Sequence, residues 1–510
     1  MNLLDSIKRL WQKGQVAVGE RKELNKITDD SRINIDEHEY ERIHRDFRYY
    51  RNLYPVKHYI DASGVCRKRK YNTLNLTKRA SQRIASIVFN EQCKISFDNE
   101  NLNEYLNQVL TDNDFKNQFE MNLEKGIVAG GFAMRPYVDN DKIKIAWIRA
   151  DQFYPLRSNT NSISEAAIAS RTSKVENNQT AYYTLLEFHQ WVNGNYVITN
   201  ELYRSTQPEI IGMQVNLKEL YPDIEPQVVL NGSGMVRPLF SYFRMPGANN
   251  ISLESPLGIG IVDNSKSTLD NLNLTHDSFM WEIRNGKRTV AVPESMLRFD
   301  NRTHKPMFDT DTDVYLKMLS EDNGSGIQDL THDIRVQQFT DSMNAWLREF
   351  EGNIGMAQGT FSYNANNGLQ TATEVVSENS MTYQTRSSIL TNVTSCIEQL
   401  CQAILEVASV PEFFSDGKAQ FTMADEMNLN DIGIHVQYDD GVFVDKDKQM
   451  EEDLKNVVAG VLSKQTFLQR NYGLSDSDVK KELKLIQEET SNQDTVSGKE
   501  NVLFGGGDGD

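Results

Sequence analysis

Residues 351–370 read EGNIGMAQGTFSYNANNGLQ, a run of Gly, Asn, Ser and Ala that fits neither the helical period nor the two-residue period of a strand. The stretch predicts a mobile loop, and its neighbours decide what the loop belongs to. Directly after it, Thr371 to Ser409 is the longest helical pattern in the chain, with Ile389, Leu390, Val393, Ile397, Leu400, Ile404 and Leu405 in register. Unbroken, such a helix spans about 58 Å, more than the width of a small domain, so it must cross between domains or bend. Directly before the loop, Asp341 to Asn353 reads as helix, preceded by a strand-like Ile334 to Phe339. Farther upstream, Asp263 to Asn285 predicts another helix, with Leu269, Leu272, Phe279, Met280 and Ile283 as its apolar stripe. Asp263 or Ser265 suits its N-cap and Gly286 its stop. Lys287 to Val292 then reads as a strand closed by Pro293, and a polar stretch rich in Asp and Gly runs to Gly326. Two helices therefore bracket a small, partly β insertion.

Farther out, Lys446 to Glu489 divides into three short helices at Gly460–Ser463 and Gly473–Ser475, with Ser475 or Asp476 capping the third and a disordered tail expected over Gly505–Asp510. On the N-terminal side, Glu37 to Tyr59 is dense in aromatics and charges, and Asn72 to Phe89 and Asn101 to Gly126 read as helices. Strand alternation dominates the block from about 125 to 245, at Lys142–Trp147, Tyr182–His189, Asn195–Tyr203 and Met235–Arg244. These strands cluster and are joined by turn-like Asn and Gly rather than by helices, which makes the fold class α+β, mostly helical, and not a βαβ repeat. The opening Met1 to Lys13 places Leu3, Leu4, Ile7, Leu10 and Trp11 on one helical face, and a helix docking on its own or a neighbouring subunit is the preferred reading over membrane attachment.

The chain has 510 residues, 39% hydrophobic and 25% charged, which suits two or more globular domains and excludes a fibrous or disordered class. A net charge of −18 argues against a surface built to grip nucleic acid through its phosphates. The most basic stretch, Arg67 to Lys70 followed by Lys78, Arg79 and Arg83, is read as a basic loop feeding a helix, solvated or meeting carboxylates at a subunit contact. Cys66, Cys93, Cys396 and Cys401 make no CxxC pair, so reduced thiols are expected, with neither zinc site nor disulfide framework. No apolar run reaches the length of a membrane span and no signal-peptide core opens the chain, so secretion and membrane insertion are set aside.

Catalytic patterns are weak. Gly260-Ile-Val-Asp-Asn-Ser265-Lys266-Ser267 is one substitution from the phosphate-binding GxxxxGK[ST]. Ser265 stands where that loop needs its last glycine for backbone amides to fold round phosphates, so a strand end followed by a capped helix is preferred to an ATPase. Gly126, Gly130 and Gly131 read as turn glycines, the eight histidines are scattered, and there is no HExxH or GxSxG. No catalytic residue, metal site or cofactor is expected.

The order of parts resembles the portal (connector) proteins of tailed double-stranded DNA bacteriophages, in the branch found in phages of Gram-positive hosts. Tyr71–Ser96 (YNTLNLTKRASQRIASIVFNEQCKIS) is similar to that family's segment before the β-rich block. Thr371–Val375 (TATEV) resembles its turn into the long helix, and Ala459–Thr466 with Tyr472–Leu474 and Glu482–Glu489 resembles its terminal helical region. The resemblance, over about residues 35–490, implies a ring of subunits, usually twelve, at one capsid vertex, with double-stranded DNA passing through a central channel during packaging and ejection. It implies a wing over 1–262 that includes the N-terminal helix, stem helices over 263–286 and 339–354, and a clip over 287–338 that docks terminase and later the head-tail connector. It further implies a tunnel loop over 355–370, a long spanning helix and wing return over 371–439, a helical crown over 440–490 and a disordered tail over 491–510. Implied partners are further copies of the chain, major capsid and scaffold proteins, terminase, connector and DNA, without a membrane.

A channel must confine DNA without holding it, and twelve copies at −18 carry about −216 charges, a poor clamp but a workable sleeve. The loop offers Tyr363, Asn364, Asn366 and Asn367 as neutral DNA-facing groups, while Lys266, Arg284, Lys287 and Arg288 are the cationic candidates. The last three also suit a helix C-terminus, where the helix dipole favours cations. The competing readings are another minor head or tail-adaptor protein that forms no ring, and a nucleotide-driven DNA motor using Gly260–Ser267.

Overall fold

The computed structural model describes residues 22–60, 64–158, 162–176, 178–230, 237–286, 289–293, 314–318, 328–329, 332–363, 380–421, 433–438, 446–472, 474 and 478–487. In chain order, the first unit begins with β1 (Glu23–Leu24), α1 (Glu37–Tyr50), the hairpin β2 (Lys57–Ile60) and β3 (Cys66–Arg69), α2 (Leu76–Val88), β4 (Lys94–Phe97), α3 (Glu100–Asp112) and α4 (Phe115–Ala129). The β-rich block follows as β5 (Gly131–Asp139), β6 (Lys142–Arg149), β7 (Phe153–Ser158), β8 (Ile163–Glu176), β9 (Gln179–Val192), β10 (Asn195–Ser205), β11 (Gly212–Val215), β12 (Gln227–Leu230) and β13 (Ser241–Arg244). Then come α5 (Lys266–Asn285), β14 (Thr289–Pro293), β15 (Val314–Met318), β16 (Gln328–Asp329), α6 (Val336–Asn353), α7 (Ser380–Ser409) and β17 (Ile434–Gln437). A second unit, from Asp439 onward, holds α8 (Lys446–Val458), α9 (Lys464–Tyr472) and α10 (478–487).

The β-rich block resolves into a seven-stranded antiparallel sheet, β1-β11-β10-β9-β8-β7 with β12 on β10, and a three-stranded sheet, β13-β5-β6. Local chemistry sets both hairpins that matter. Asn193 and Gly194 join β9 to β10 with φ of 51° and 83°, and Asn140 and Asp141 join β5 to β6 with φ of 50° and 58°. Two successive left-handed residues match the twist of paired strands, and Asn, Asp and Gly are the residues that adopt that conformation most readily. α1 lies against the larger sheet through Tyr40 and Ile43, buried with Leu24, Phe153, Leu186, Phe188 and Tyr203. The Tyr40 hydroxyl donates to the Phe153 carbonyl at 3.0 Å, so the ring buries without stranding its polar tip.

α2, α4 and the smaller sheet share an aromatic core in which Phe119 meets Phe89, Phe115, Phe132 and Trp147 with centroids 4.6–6.2 Å apart. α7 closes this region, burying Ile389, Val393, Cys396, Ile397, Leu400 and Ile404 at the predicted spacing. The expected start of the helix at Thr371, including TATEV, lies outside the described residues, as do Met1–Lys13, the tail and the Ser475/Asp476 cap.

Three local readings change. Ile334–Phe339 is not a strand: α6 begins at Val336, and Phe339 packs on Phe279 of α5 with centroids 5.2 Å apart. Asn101–Gly126 is two helices, because the Asn113 side chain bonds the backbone of β6 at Ile143 and Ile145 and Asp114 turns left-handed at φ 48°. The basic Arg67–Lys70 is no loop but begins in β3, paired with β2. Between α5 and α6, β14 pairs with β15 in parallel and with β16 antiparallel, so the insertion does carry the expected partial β structure.

Candidate functional site: a clamped helix pair

α5 and α6 run antiparallel. Thr268 donates to Glu349 at 2.8 Å near one end, and toward the other Phe279 meets Phe339 and the Arg335 guanidinium binds Glu282 at 2.5 and 3.1 Å. From pair to pair the contact advances along α5 and retreats along α6 by the same number of residues to within one, so the register holds over the whole contact. The chain returns from the β14–β16 insertion beside the place where it left.

The start of α5 is fixed by backbone packed on backbone. The Ile261 amide donates to the Ile127 carbonyl at 3.0 Å and the Met245 amide to the Gly130 carbonyl at 2.9 Å. A Cβ on Gly260 would sit 1.7 Å from the Val128 carbonyl oxygen, so this glycine exists for close approach to the end of α4. The same segment was the near match to a phosphate loop. Here the Gly260 amide donates to the Asp263 carboxylate at 2.7 Å, and Lys266 pairs with Asp270 at 2.9 Å. A carboxylate where phosphate oxygens would sit repels them, and the lysine is turned to its own helix.

Asp263 is also the centre of a buried ion cluster on α1. Arg42 reaches Asp263 at 2.6 Å, Glu39 at 3.2 Å and the Gly258 carbonyl at 2.9 Å, while Arg45 spans Asp263 at 2.5 Å and Asp46 at 2.8 Å. Three carboxylates face two guanidiniums, so one negative charge is in surplus. It falls on Asp46: burial, then the neighbouring Asp263 charge, raise its pKa above the carboxylate range against the pull of both arginines. Asp46 Oδ2 accordingly has no hydrogen-bond partner among the described residues.

A second clamp holds the middle of α5. The Asp277 carboxylate takes Arg69 in a two-pronged contact at 2.6 and 2.7 Å, Lys57 at 2.9 Å and the Asn72 amide at 3.1 Å. Burial alone would raise its pKa, but Arg69, Lys57 and the amide overcome that and hold it well below the usual range. Arg69 also lies over the Trp281 ring, 4.7 Å from its centroid. The β2–β3 hairpin is thereby locked to the helix.

Past α6, Glu351 stitches the first half of the expected mobile loop. Its buried carboxylate accepts from the amides of Gly359, Phe361 and Ser362 and from the Ser362 hydroxyl, and the Tyr363 amide donates to Asn344 at 2.9 Å. Residues 354–363 are therefore a built turn, in place of the predicted structureless run.

Of the predicted DNA-facing residues, Tyr363 is 67% exposed at the end of this turn. Arg284 is exposed in the last turn of α5, and Lys266 lies at its first, on the α1 side. Lys287, Arg288, Asn364, Asn366 and Asn367 lie outside the described residues. Sequence reasoning missed Asp277, Arg42 and Glu351, and saw Asp263 only as a cap; their partners lie up to 221 residues away, so no local pattern could pair them. Among the described residues no group of His, Cys, Asp and Glu could hold a metal ion, and no helix is long and apolar enough to cross a membrane.

A family model described as "Phage portal protein, SPP1 Gp6-like" matches residues 29–495, and the chain belongs to that family. It is a phage portal protein, a structural component of the virion. No curated protein matches it. Among solved structures it is similar to a chain of the virion of a native gene transfer agent particle, at 10% identity and a TM-score of 0.43, covering 92% of this chain and 99% of that one. It is similar also to a chain in the neck of the empty particle computed with C6 symmetry, at 10% identity and a TM-score of 0.43, with 79% and 91% covered. A third, in the neck of the native particle computed with C12 symmetry, stands at 11% identity and a TM-score of 0.39, with 77% and 88% covered.

Proposed function

We propose that this portal protein closes into a ring of twelve at one capsid vertex and serves as the conduit for double-stranded DNA during packaging and ejection. The family match over residues 29–495 carries the reading. The antiparallel α5–α6 pair supports it, since a rigid two-helix column with a small β insertion at its tip is what a channel stem and its docking clip require. In this reading 263–286 and 339–354 are the stem, 287–338 the clip that meets terminase and then the head-tail connector, and 355–370 the tunnel loop. The wing is 1–262, the spanning helix and wing return 371–439, and the crown 440–490. Capsid and scaffold proteins meet the wing during assembly in the host cytoplasm.

The DNA-facing groups are Arg284, Lys287 and Arg288 at the clip end of the stem, and Tyr363, Asn364, Asn366 and Asn367 on the loop. Lys266 is tied to Asp270 and contributes less. The protein carries no catalytic step of its own. Light scattering behind size exclusion tests the ring: twelve copies of 58.3 kDa give about 700 kDa on closed cyclic symmetry, with a central hole in electron-microscope images of the same peak. Monomers that stay single with capsid and scaffold proteins present would overturn it.

A further inference from the structure

A cavity of about 560 Å³ opens between the C-terminal end of α1, the following loop and α5, with Leu53, Val56 and Leu274 on its floor. These three side chains are 47%, 52% and 48% exposed, an apolar patch that water covers in the single chain. Arg45, Arg48, Lys57 and Lys266 line the cavity with one carboxylate, Asp270, which pairs with Lys266, and Arg48 has no ion pair among the described residues. An apolar floor under a basic rim calls for an apolar side chain flanked by a carboxylate.

The same chain carries that shape elsewhere. Ile251, Leu253 and Glu254 stand on an exposed turn, with Leu253 82% exposed. The turn is rigid, because the buried Asn249 accepts from the amides of Ile251 and Ser252 at 3.0 and 2.9 Å and donates to Glu39 at 2.9 Å. Ser255 donates to the same Glu39 oxygen at 2.9 Å. Glu254 has no ion pair among the described residues, so its charge is open to a partner.

Knob and socket sit at opposite ends of α1, the knob anchored at Glu39 and the socket opening past Arg48. Glu39 and Arg48 are nine residues, about 14 Å, apart along the helix, and Leu253, held on its Asn249-tethered turn and 82% exposed, does not line the socket of its own chain. We infer that the Leu253–Glu254 knob of one copy seats in the Arg48–Leu53–Val56–Leu274 socket of the next. Leu253 fills the floor and Glu254 meets Arg48. Because donor and acceptor surfaces differ, the contact is head-to-tail, the kind that propagates round a ring. The inference rests on the ring-forming reading and adds the contact that closes it.

The experiment compares the wild-type chain with Glu254→Arg, Arg48→Glu and the double variant, measuring mass by light scattering against protein concentration. Each single variant should raise the concentration for half-assembly by at least about tenfold, and the double variant should return it to within about threefold of wild type. Melting temperatures should match, since both side chains are exposed. In a Cys66→Ser background, Leu253→Cys with Val56→Cys should give, on mild oxidation, a ladder of covalent species beyond the dimer. Wild-type assembly that neither single variant changes, or the absence of any cross-link, overturns this contact and leaves the ring reading standing. Cross-links that stop at the dimer overturn the head-to-tail arrangement. A wild-type chain that stays monomeric at every concentration with capsid and scaffold proteins present overturns the ring reading and the contact together.

Discussion

Helix α5 is held by two buried carboxylate clusters that behave in opposite ways. At its start, Asp263 shares two arginines with Glu39 and Asp46, and the surplus of carboxylates leaves Asp46 holding its proton. Along its middle, Asp277 has Arg69 and Lys57 to itself and stays ionised far into acid. Two cations serve each site and burial raises the carboxyl pKa at both; what differs is how many carboxylates share those cations. Helix α5 therefore carries one clamp that neutral pH leaves balanced only by a retained proton, and one that acid alone can open.

The largest expected effect separates the clamps by how replaceable their cations are. Arg42 is 3% exposed, and Arg42→Met leaves Glu39 buried without an ion-pair partner among the described residues and Asp263 against Arg45 alone, a loss of about 3–5 kcal/mol in urea unfolding. Arg69→Met should cost less, about 1–3 kcal/mol, because Lys57 and the Asn72 amide remain on Asp277. Equal losses would break the comparison and make the two clamps equivalent.

The pH dependence sharpens it. A carboxyl whose folded pKa is raised binds its proton in the native state after the unfolded chain has released it, so its contribution is whole in acid and is lost as pH rises past the ordinary carboxylate range. Asp46 has this sign. Asp46→Asn should flatten the fall in melting temperature between about pH 4 and the folded Asp46 pKa of about 8. A lowered carboxyl has the reverse sign: the contribution of Asp277 is whole above about pH 4 and fades below it, so Asp277→Asn should flatten the acid limb while lowering stability at neutral pH. Melting curves from pH 3 to 9 for the two variants check both. A neutral-side slope unchanged in Asp46→Asn would mean that this carboxyl is ionised and that the cluster is not overfilled.

The contrast also marks what the sequence could show. The helices α5 and α7 were legible because an apolar stripe at helical spacing is local, and so was the β9–β10 hairpin, whose Asn-Gly turn carries its own conformational preference. Ile334–Phe339 misled because Ile334 and Val336, two residues apart across Arg335, start as a strand would, and only packing on α5 reveals the helix. β8 escaped notice since its outer half, Ser170–Val175, is exposed and polar and has no alternation to detect. The clamps were illegible for a deeper reason: Arg69 and Asp277 are 208 residues apart, so each looked like a surface charge. The basic run read as solvated or as a subunit contact contains a residue, Arg69, that strand alternation turns inward onto a carboxylate of its own chain.

Lys266 marks the small end of the scale. It pairs with Asp270 one turn away on the same helix, and both side chains are partly in solvent. Exposed pairs of this spacing contribute about 0.3–0.5 kcal/mol, so Lys266→Ala should leave unfolding within that margin of wild type, against the several kcal/mol expected at Arg42. It should also leave rings intact, since Arg48 and the apolar floor remain in the socket. A loss of rings with unchanged melting would assign the lysine to the contact between copies, whereas intact rings that package DNA poorly would return it to the channel. The residue that most resembled a catalytic lysine in the sequence is thus expected to matter least to the fold, because its charge is met within its own helix, while the buried aspartate three positions before it holds two arginines from another.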